Sequence, residues 1–311
     1  MKIILTDNIS ERAGKMLAEF GYETENLPTP TPEKLKTLLD ACDAIVIRSA
    51  TRIGGDLLRD EKRLKLIVRG GVGVDNIDIA AAKKCGIAVA NTPGANSIAT
   101  AELAFSMMLA LARNLAPAHN SVQSGEWERA NWRGVELFGK TLGVIGFGRI
   151  GREISKRALA FGMDALAYDP FLSENMIRQA GASPLSLDEI FRRADFITLH
   201  VPLNDETRYM INANSIEKLR DGVRIVNCAR GGLIDEAAAA QALDSGKIAG
   251  LALDVYEQEP PLPENPLLGR ENVLTAPHLG AYSREAQTKV ADEVVDVVHK
   301  FFSEGAHPNV F

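Results

Sequence analysis

Cysteine is scarce in this chain. Cys42, Cys85 and Cys228 are odd in number and far apart among 311 residues, which excludes a disulfide framework and points to a reducing, cytoplasmic compartment. Cationic excess is also lacking. Thirty-five Lys and Arg stand against 41 Asp and Glu, a net charge of −6, so the chain does not present a surface for nucleic acid or anionic membrane. No apolar run is long enough to span a bilayer. The most apolar stretch, Ile98–Ala112, is short and carries Thr100, Glu102 and Ser106. The opening MKIILTDNIS turns polar too soon for a signal peptide and reads as a strand. No cysteine–histidine spacing suggests a metal. At 46% hydrophobic and 24% charged residues, the composition excludes disordered, collagen-like and coiled-coil classes.

What is present is alternation. Domains of roughly 100–200 residues imply two for this length. Strand-like runs at Lys2–Thr6, Ala44–Arg48, Leu66–Arg69 and Ile87–Ala90 are separated by amphipathic segments near Ser10–Phe20, Pro32–Leu39, Gly54–Asp60 and Asp78–Cys85. A second series follows: Thr141–Ile145, Asp164–Tyr168, Phe196–His200, Arg224–Asn227 and Gly250–Asp254, with helical patterns such as Ile150–Phe161 and Glu236–Leu243. Two such series predict an α/β protein with two doubly wound parallel-sheet domains. Ile98–Ala112 is apolar on more than one face and should be buried on most sides, in a domain junction or subunit interface. Arg284–Phe302 reads as one long helix that carries the chain back to the first domain. The expected division is therefore 1–95 with 285–311, and 96–284, with a ligand cleft between them.

Thr141–Ile145 runs directly into Gly146-Phe147-Gly148-Arg149-Ile150-Gly151 and a helical pattern. The first glycine permits the tight turn, the second admits a pyrophosphate, and the third lets helix pack on strand. Asp169 follows about 20 residues on, at the end of the next strand, where it would accept from ribose hydroxyls and repel a 2′-phosphate. The pattern predicts NAD. Arg230, in NCARGG, lies where a strand end should meet ligand. His278, between Pro277 and a glycine-containing loop, has an arginine and a carboxylate at similar strand-end positions, which favours catalysis. His119, His299 and His307 lie in helical or terminal polar contexts. His200 ends a strand beside Pro202 and is expected to line the cofactor pocket.

The chain resembles the D-isomer-specific 2-hydroxyacid dehydrogenases. The resemblance covers nearly all of it and rests on GFGRIG at 146–151, YDP at 168–170, NCARGGLIDE at 227–236, ALDVYEQEP at 252–260 and PHLGAYSREAQ at 277–287. It implies a Rossmann-like NAD-binding domain at 96–284 and a flavodoxin-like, discontinuous substrate domain at 1–95 and 285–311. Arg230, Glu259 and His278 match the catalytic arginine, glutamate and histidine, and Asp254 the residue that meets the nicotinamide carboxamide. The cofactor contacts expected are Gly146, Gly148, Arg149, Ile150, Gly151, Asp169, Pro170, His200, Pro202, Thr207, Cys228, Ala229, Asp254 and Gly280. The chemistry is consistent: removing hydride from a C2 carbinol needs a base for the hydroxyl proton and a cation for the carboxylate.

Substrate choice should come from the first domain. Arg48 and Arg69 end strands, the latter just before Gly70 and Gly71. Together they suit a second anionic group, since Arg230 alone can hold one carboxylate. The resemblance is strongest to the branch that oxidises 3-phospho-D-glycerate to 3-phosphohydroxypyruvate, the first step of serine biosynthesis. It implies substrate contacts from Arg48, Arg69, Gly71, Asn96 and Arg129, the last from a neighbouring subunit of a homodimer. Tyr282 is a departure, because the family more often has a small hydroxyl residue there. The chain ends soon after the last helix, so an appended serine-binding regulatory domain is not expected. Two alternatives stay open: a glyoxylate or hydroxypyruvate reductase, and a non-catalytic NAD-sensing protein.

Overall fold

The computed structural model describes residues 1–58, 63–306 and 309–311. The chain divides into two compact units, Met1–Ser97 with Ala281–Phe311, and Ile98–Gly280. Part of the expected segment Gly54–Asp60, and His307, lie outside the described residues.

The first unit is built on β1 (Lys2–Leu5), α1 (Glu11–Glu19), β2 (Glu23–Asn26), α2 (Pro32–Ala41), β3 (Ala44–Ile47), β4 (Leu66–Arg69), α3 (Ile79–Lys84) and β5 (Ala88–Asn91). All strand pairings are parallel, in the order β2-β1-β3-β4-β5. Side chains alternate between the two sheet faces, and both faces are covered. Ile3, Leu5, Val46, Leu66 and Val68 pack with Val290, Val294 and Val298 of the last helix, Arg284–His299. Ile4, Ile45, Ile47 and Ile67 pack with Leu35, Leu38 and Leu39 of α2. Burial on both faces is why these strands read as unbroken apolar runs. In the described part, 54–58, of the segment expected to be an amphipathic helix, the structure has a 3₁₀ turn, Gly55–Leu57. Gly54 and Gly55 open that segment, and paired glycines make helix nucleation costly.

The second unit begins with α4 (Ser97–Ala112, entered from the first unit at its first residue) and α5 (Leu115–Gln123). It continues through β6 (Thr141–Ile145), α6 (Arg149–Ala160), β7 (Asp164–Tyr168), α7 (Glu174–Gln179), β8 (Ser183–Pro184), α8 (Leu187–Arg193) and β9 (Phe196–Leu199). It closes with α9 (Ala213–Lys218), β10 (Val223–Asn227), α10 (Glu236–Asp244), β11 (Ile248–Leu253) and β12 (Val273–Thr275). Its seven parallel strands run in the order β12-β11-β10-β9-β6-β7-β8. Strand order reverses between β6 and β9, the arrangement of a Rossmann domain, in which ligands meet the carboxyl ends of the strands at the reversal. Helix α4 is a core element: Ala101, Ala104, Met107, Met108 and Leu111 pack with Leu142, Val144 and Phe147. No single described helix is long and apolar enough to cross a membrane, and α4 and α5 are bent by 65° at their break.

Candidate active site

The glycine turn sits at the strand-order reversal of the second sheet. Gly146 has φ +89°, and a Cβ there would lie 2.5 Å from the His200 carbonyl oxygen after β9. A Cβ on Gly151 would lie 2.2 Å from the Gly146 oxygen, whereas one on Gly148 would meet nothing within 4 Å. Two glycines are therefore required by crowding, and the middle one opens onto free space. Helix α6 starts at Arg149 with Gly148 as its cap and no side chain accepting from its first amides. Unsatisfied amides at an open glycine form a cradle for phosphate, so these residues fit the pyrophosphate of a dinucleotide. Arg149 is exposed beside it, and Ile150 is half-buried.

Asp169 stands directly after β7. Its Oδ2 accepts from the Phe147 N–H at 2.8 Å and its Oδ1 from the Phe171 N–H at 2.9 Å. The carboxylate thus braces the glycine turn and keeps further lone pairs for hydroxyl donors. Pro170 beside it is exposed. His200 pairs through Nε2 with the Thr198 hydroxyl at 2.9 Å, while its Nδ1 is buried without a partner in the chain. Burial pushes its pKa down to about 3, so the ring is neutral. Pro202 and Thr207 belong to one turn, in which the Thr207 hydroxyl donates to the Pro202 carbonyl at 2.6 Å. Cys228 is buried with its sulfur 3.7 Å from Met107 Sδ, and burial raises its pKa, so it is a thiol.

The acid–base group is assembled from three neighbouring strand ends, those of β10, β11 and β12. Nδ1 of His278 lies 2.7 Å from Glu259 Oε2. The other oxygen of Glu259 accepts from the Tyr256 N–H at 3.2 Å. Burial pushes the Glu259 carboxyl up. The hydrogen bond and charge of His278, the Tyr256 amide and the charge of Arg230 outweigh it, and the group lies below its ordinary value. Arg230 follows β10; its Nη1 donates to the Ala229 carbonyl at 2.5 Å, and the Arg230 carbonyl accepts from Asn227 Nδ2 at 2.7 Å. Gly231 can only be glycine, since a Cβ would lie 1.7 Å from the Tyr256 oxygen.

Asp254 is fully buried and organises the histidine loop. Its main-chain oxygen accepts from His278 N at 2.9 Å, Oδ1 from Leu279 N at 2.7 Å and Oδ2 from Gly280 N at 2.8 Å. Three successive amides end on one residue. They hold His278 at φ +54°, a conformation rarely adopted by a side-chain-bearing residue. Burial raises the Asp254 carboxyl, against the lowering effect of those two amides. Thr100 of α4 donates to the Gly280 carbonyl at 2.9 Å and secures the far side.

The substrate-side candidates fall in both units. Arg48, Arg69, Gly71 and Asn96 belong to the first unit and Arg129 to the second. Arg48 directly follows β3, at the reversal between β1 and β3 in the first sheet. Its N–H donates to Asp7 Oδ2 at 2.7 Å, its carbonyl accepts from Asn76 Nδ2 at 2.7 Å, and its Nη1 donates to Gln287 Oε1 at 2.6 Å. Arg69 is the neighbour of Ile47 across the ladder. Its guanidinium folds over Gly71, where a Cβ would lie 1.6 Å from Nη1. Asn96 has a buried side-chain oxygen without a partner. Arg129 is exposed at the start of the 3₁₀ turn Arg129–Trp132.

Sequence reasoning missed Asp7, Asn76, Gln287 and Tyr256, which act by holding other residues. Gln287 lies inside the PHLGAYSREAQ motif and Thr100 interrupts an apolar helix, and those were the available signals.

Residues 105–280 match the family model described as D-isomer specific 2-hydroxyacid dehydrogenase, NAD binding domain. The chain is 46% identical over 301 residues to a D-3-phosphoglycerate dehydrogenase of Archaeoglobus fulgidus, a match over 96% of this chain that spans 57% of that relative's length. It is 48% identical over 304 residues to a hydroxypyruvate reductase of Thermotoga maritima, covering 96% of this chain and 97% of the relative. A glyoxylate reductase crystal structure from Paecilomyes thermophila superposes with a TM-score of 0.91 at 32% identity, over 100% of this chain and 98% of the other. The chain therefore belongs to the D-isomer specific 2-hydroxyacid dehydrogenase family, and the cofactor of its glycine turn is NAD.

Proposed function

We propose that the protein oxidises 3-phospho-D-glycerate to 3-phosphohydroxypyruvate with NAD. The chemistry rests on the 2.7 Å contact between Glu259 and His278 Nδ1. With Nδ1–H donated to the carboxylate, Nε2 is left to take a proton. Arg230 holds the substrate carboxylate and polarises the C2 oxygen. His278 Nε2 takes the hydroxyl proton as the C2–O double bond forms. NAD, when bound, supplies the acceptor for the hydride that leaves C2 with its electron pair. Glu259 stabilises the imidazolium so formed. In reduction His278 returns the proton. Asp169 favours NAD over NADP by accepting from ribose hydroxyls and repelling a 2′-phosphate.

The phosphate is assigned to Arg48 and Arg69, which end adjacent strands, Arg48 at the reversal of its sheet. The first unit is thus the substrate-binding one. We further propose a homodimer in which the partner's copy of Arg129 reaches the substrate. A groove of about 290 Å³ lined by Val122, Trp127, Arg129 and Trp132 supports this, as do Leu115 and Phe138, exposed at 61% and 75%.

The second reading is a hydroxypyruvate reductase, favoured by the match that spans 97% of the Thermotoga relative. Comparing NAD-linked oxidation of 3-phosphoglycerate with NADH-linked reduction of hydroxypyruvate and glyoxylate tests both. The expected result is NAD-linked turnover of 3-phosphoglycerate with a kcat/KM that falls in Arg48→Ala, while kcat/KM for hydroxypyruvate and glyoxylate is largely spared. Turnover confined to the unphosphorylated acids makes the reductase reading the correct one.

A further inference from the structure

Arg48 is held at three points by three separate segments. Asp7, after β1, takes its amide, and with it the Thr51 amide at 3.1 Å and the Thr51 hydroxyl at 2.6 Å. Asn76 spans the Arg48 and Thr51 carbonyls at 2.7 and 2.6 Å. Both contacts fix the main chain. The guanidinium itself is held by Gln287, on the first turn of the last helix, whose Oε1 accepts from Nη1 at 2.6 Å. The amide cannot flip without loss, because its Nε2 donates to the Ala281 carbonyl at 2.6 Å. Only one orientation satisfies both ends.

What holds the guanidinium is neutral. Among the described residues, no carboxylate forms an ion pair with the Arg48 side chain, and Asp7, whose charge acts on it, is committed to three donors. Arg48 is half-buried, and burial disfavours its charged form. The charge of Asp7 offsets part of that effect without contacting the guanidinium. A partly desolvated cation aimed by an amide and in contact with no carboxylate is prepared for an anion from outside. A glutamate at 287 would make the same contact and cancel that charge.

We propose that Gln287 is the positioning residue that aims Arg48 and, being an amide rather than a carboxylate, preserves its charge for the substrate's phosphate. Gln287 thereby sets the selectivity for a phosphorylated hydroxy acid over an unphosphorylated one. This rests on the reading of Arg48 as a phosphate contact, and the test separates the two.

The quantity to measure is the ratio of kcat/KM for 3-phosphoglycerate to kcat/KM for hydroxypyruvate, in the full chain and in Arg48→Ala, Gln287→Glu and Gln287→Met. Loss of a charge-assisted contact should lower this ratio by roughly ten- to a hundredfold in Arg48→Ala and in Gln287→Glu, mainly through KM for the phosphorylated acid. Gln287→Met, which loses the aim but adds no charge, should lower it by a smaller factor, about three- to tenfold. A merely structural role would lower both substrates' turnover together and leave the ratio in place. If Arg48→Ala lowers the ratio and Gln287→Glu does not, the inference about Gln287 is wrong and the phosphate reading stands. If Arg48→Ala leaves the ratio unchanged, or the unmodified chain does not oxidise 3-phosphoglycerate, both fall. Should Gln287→Glu fail to fold, an unchanged ratio in Gln287→Met overturns the inference by itself.

Discussion

At the scale of the residue, the useful distinction is between side chains that face a reaction and those that hold them. Arg230, Glu259 and His278 stand out in the sequence because arginine, glutamate and histidine at strand ends, among glycines and prolines, have few local duties. Asp7 and Asn76 do not stand out. Their partners are main-chain amides and carbonyls about 40 and 25 residues away, and no sequence spacing records such a contact. Glu259 does both jobs, and its charge has a measurable consequence. Its carboxyl lies below its ordinary value and is an anion throughout the neutral range, where it favours the imidazolium. In Glu259→Gln that support is gone and the neutral ring gains. Oxidation needs the neutral ring, so its rising limb with pH should move to lower pH. Reduction needs the protonated ring, so its falling limb should move the same way. Turnover profiles measured in both directions check this. A shift to higher pH, or none, removes Glu259 as the partner of His278.

At the scale of the element, central strands were legible, as was the edge strand β5, while the other three edges were not. β1, β3 and β4 were expected within a residue of where they lie, because burial on both faces makes them continuous apolar runs. β2, with sequence Glu-Thr-Glu-Asn, carries no apolar residue and is recruited by pairing with β1 alone. β8, a two-residue strand ending in Pro184, and β12, three residues long, are edges of the second sheet and too short for a periodicity to show. Strand ends matter more than strand interiors here. The end of β11 places Asp254 under the loop that carries His278, and its carboxylate accepts from two amides, the part-buried one of Leu279 and the buried one of Gly280. Asp254→Asn presents an NH₂ group to one of those amides and leaves a donor unsatisfied, a cost of about 1–3 kcal/mol. The expected outcome is a lower melting temperature and a fall in kcat of about tenfold, as His278 loses its fixed φ. Measuring NADH affinity alongside separates loop support from a nicotinamide contact. Weakened NADH binding with kcat intact assigns Asp254 to the cofactor alone.

At the scale of the whole molecule, the sequence announces two series of strands and helices but not the order in which strands lie side by side. Sheet order depends on which edge each crossover takes, and that choice is made by packing between segments far apart in sequence. The apolar residues from 115 to 138 pose a related problem. Helix α4, the most apolar segment, is absorbed by the core of the second unit. Leu137 joins the same core, and Val135 packs against it. Four others do not: Leu115, Val122, Trp127 and Phe138 are exposed at 61%, 52%, 78% and 75%. Large exposed aromatic and aliphatic groups within one short segment mark an association surface, and a buried tryptophan is among the residues that contribute most to one. Arg129 begins a turn two residues after Trp127 and lines the same groove, so association and substrate binding should be linked. Light scattering after size exclusion should give twice the chain mass at micromolar concentration. Trp127→Glu with Phe138→Glu should shift the mass toward the monomer, since each buries a charge in place of an aromatic anchor. If the partner's copy of Arg129 reaches the substrate, the dissociated variant should also show KM for 3-phosphoglycerate raised by about tenfold, matching Arg129→Ala in the intact dimer. A monomeric unmodified chain overturns the interface. A monomeric variant with KM unchanged keeps the interface and removes Arg129 from the substrate.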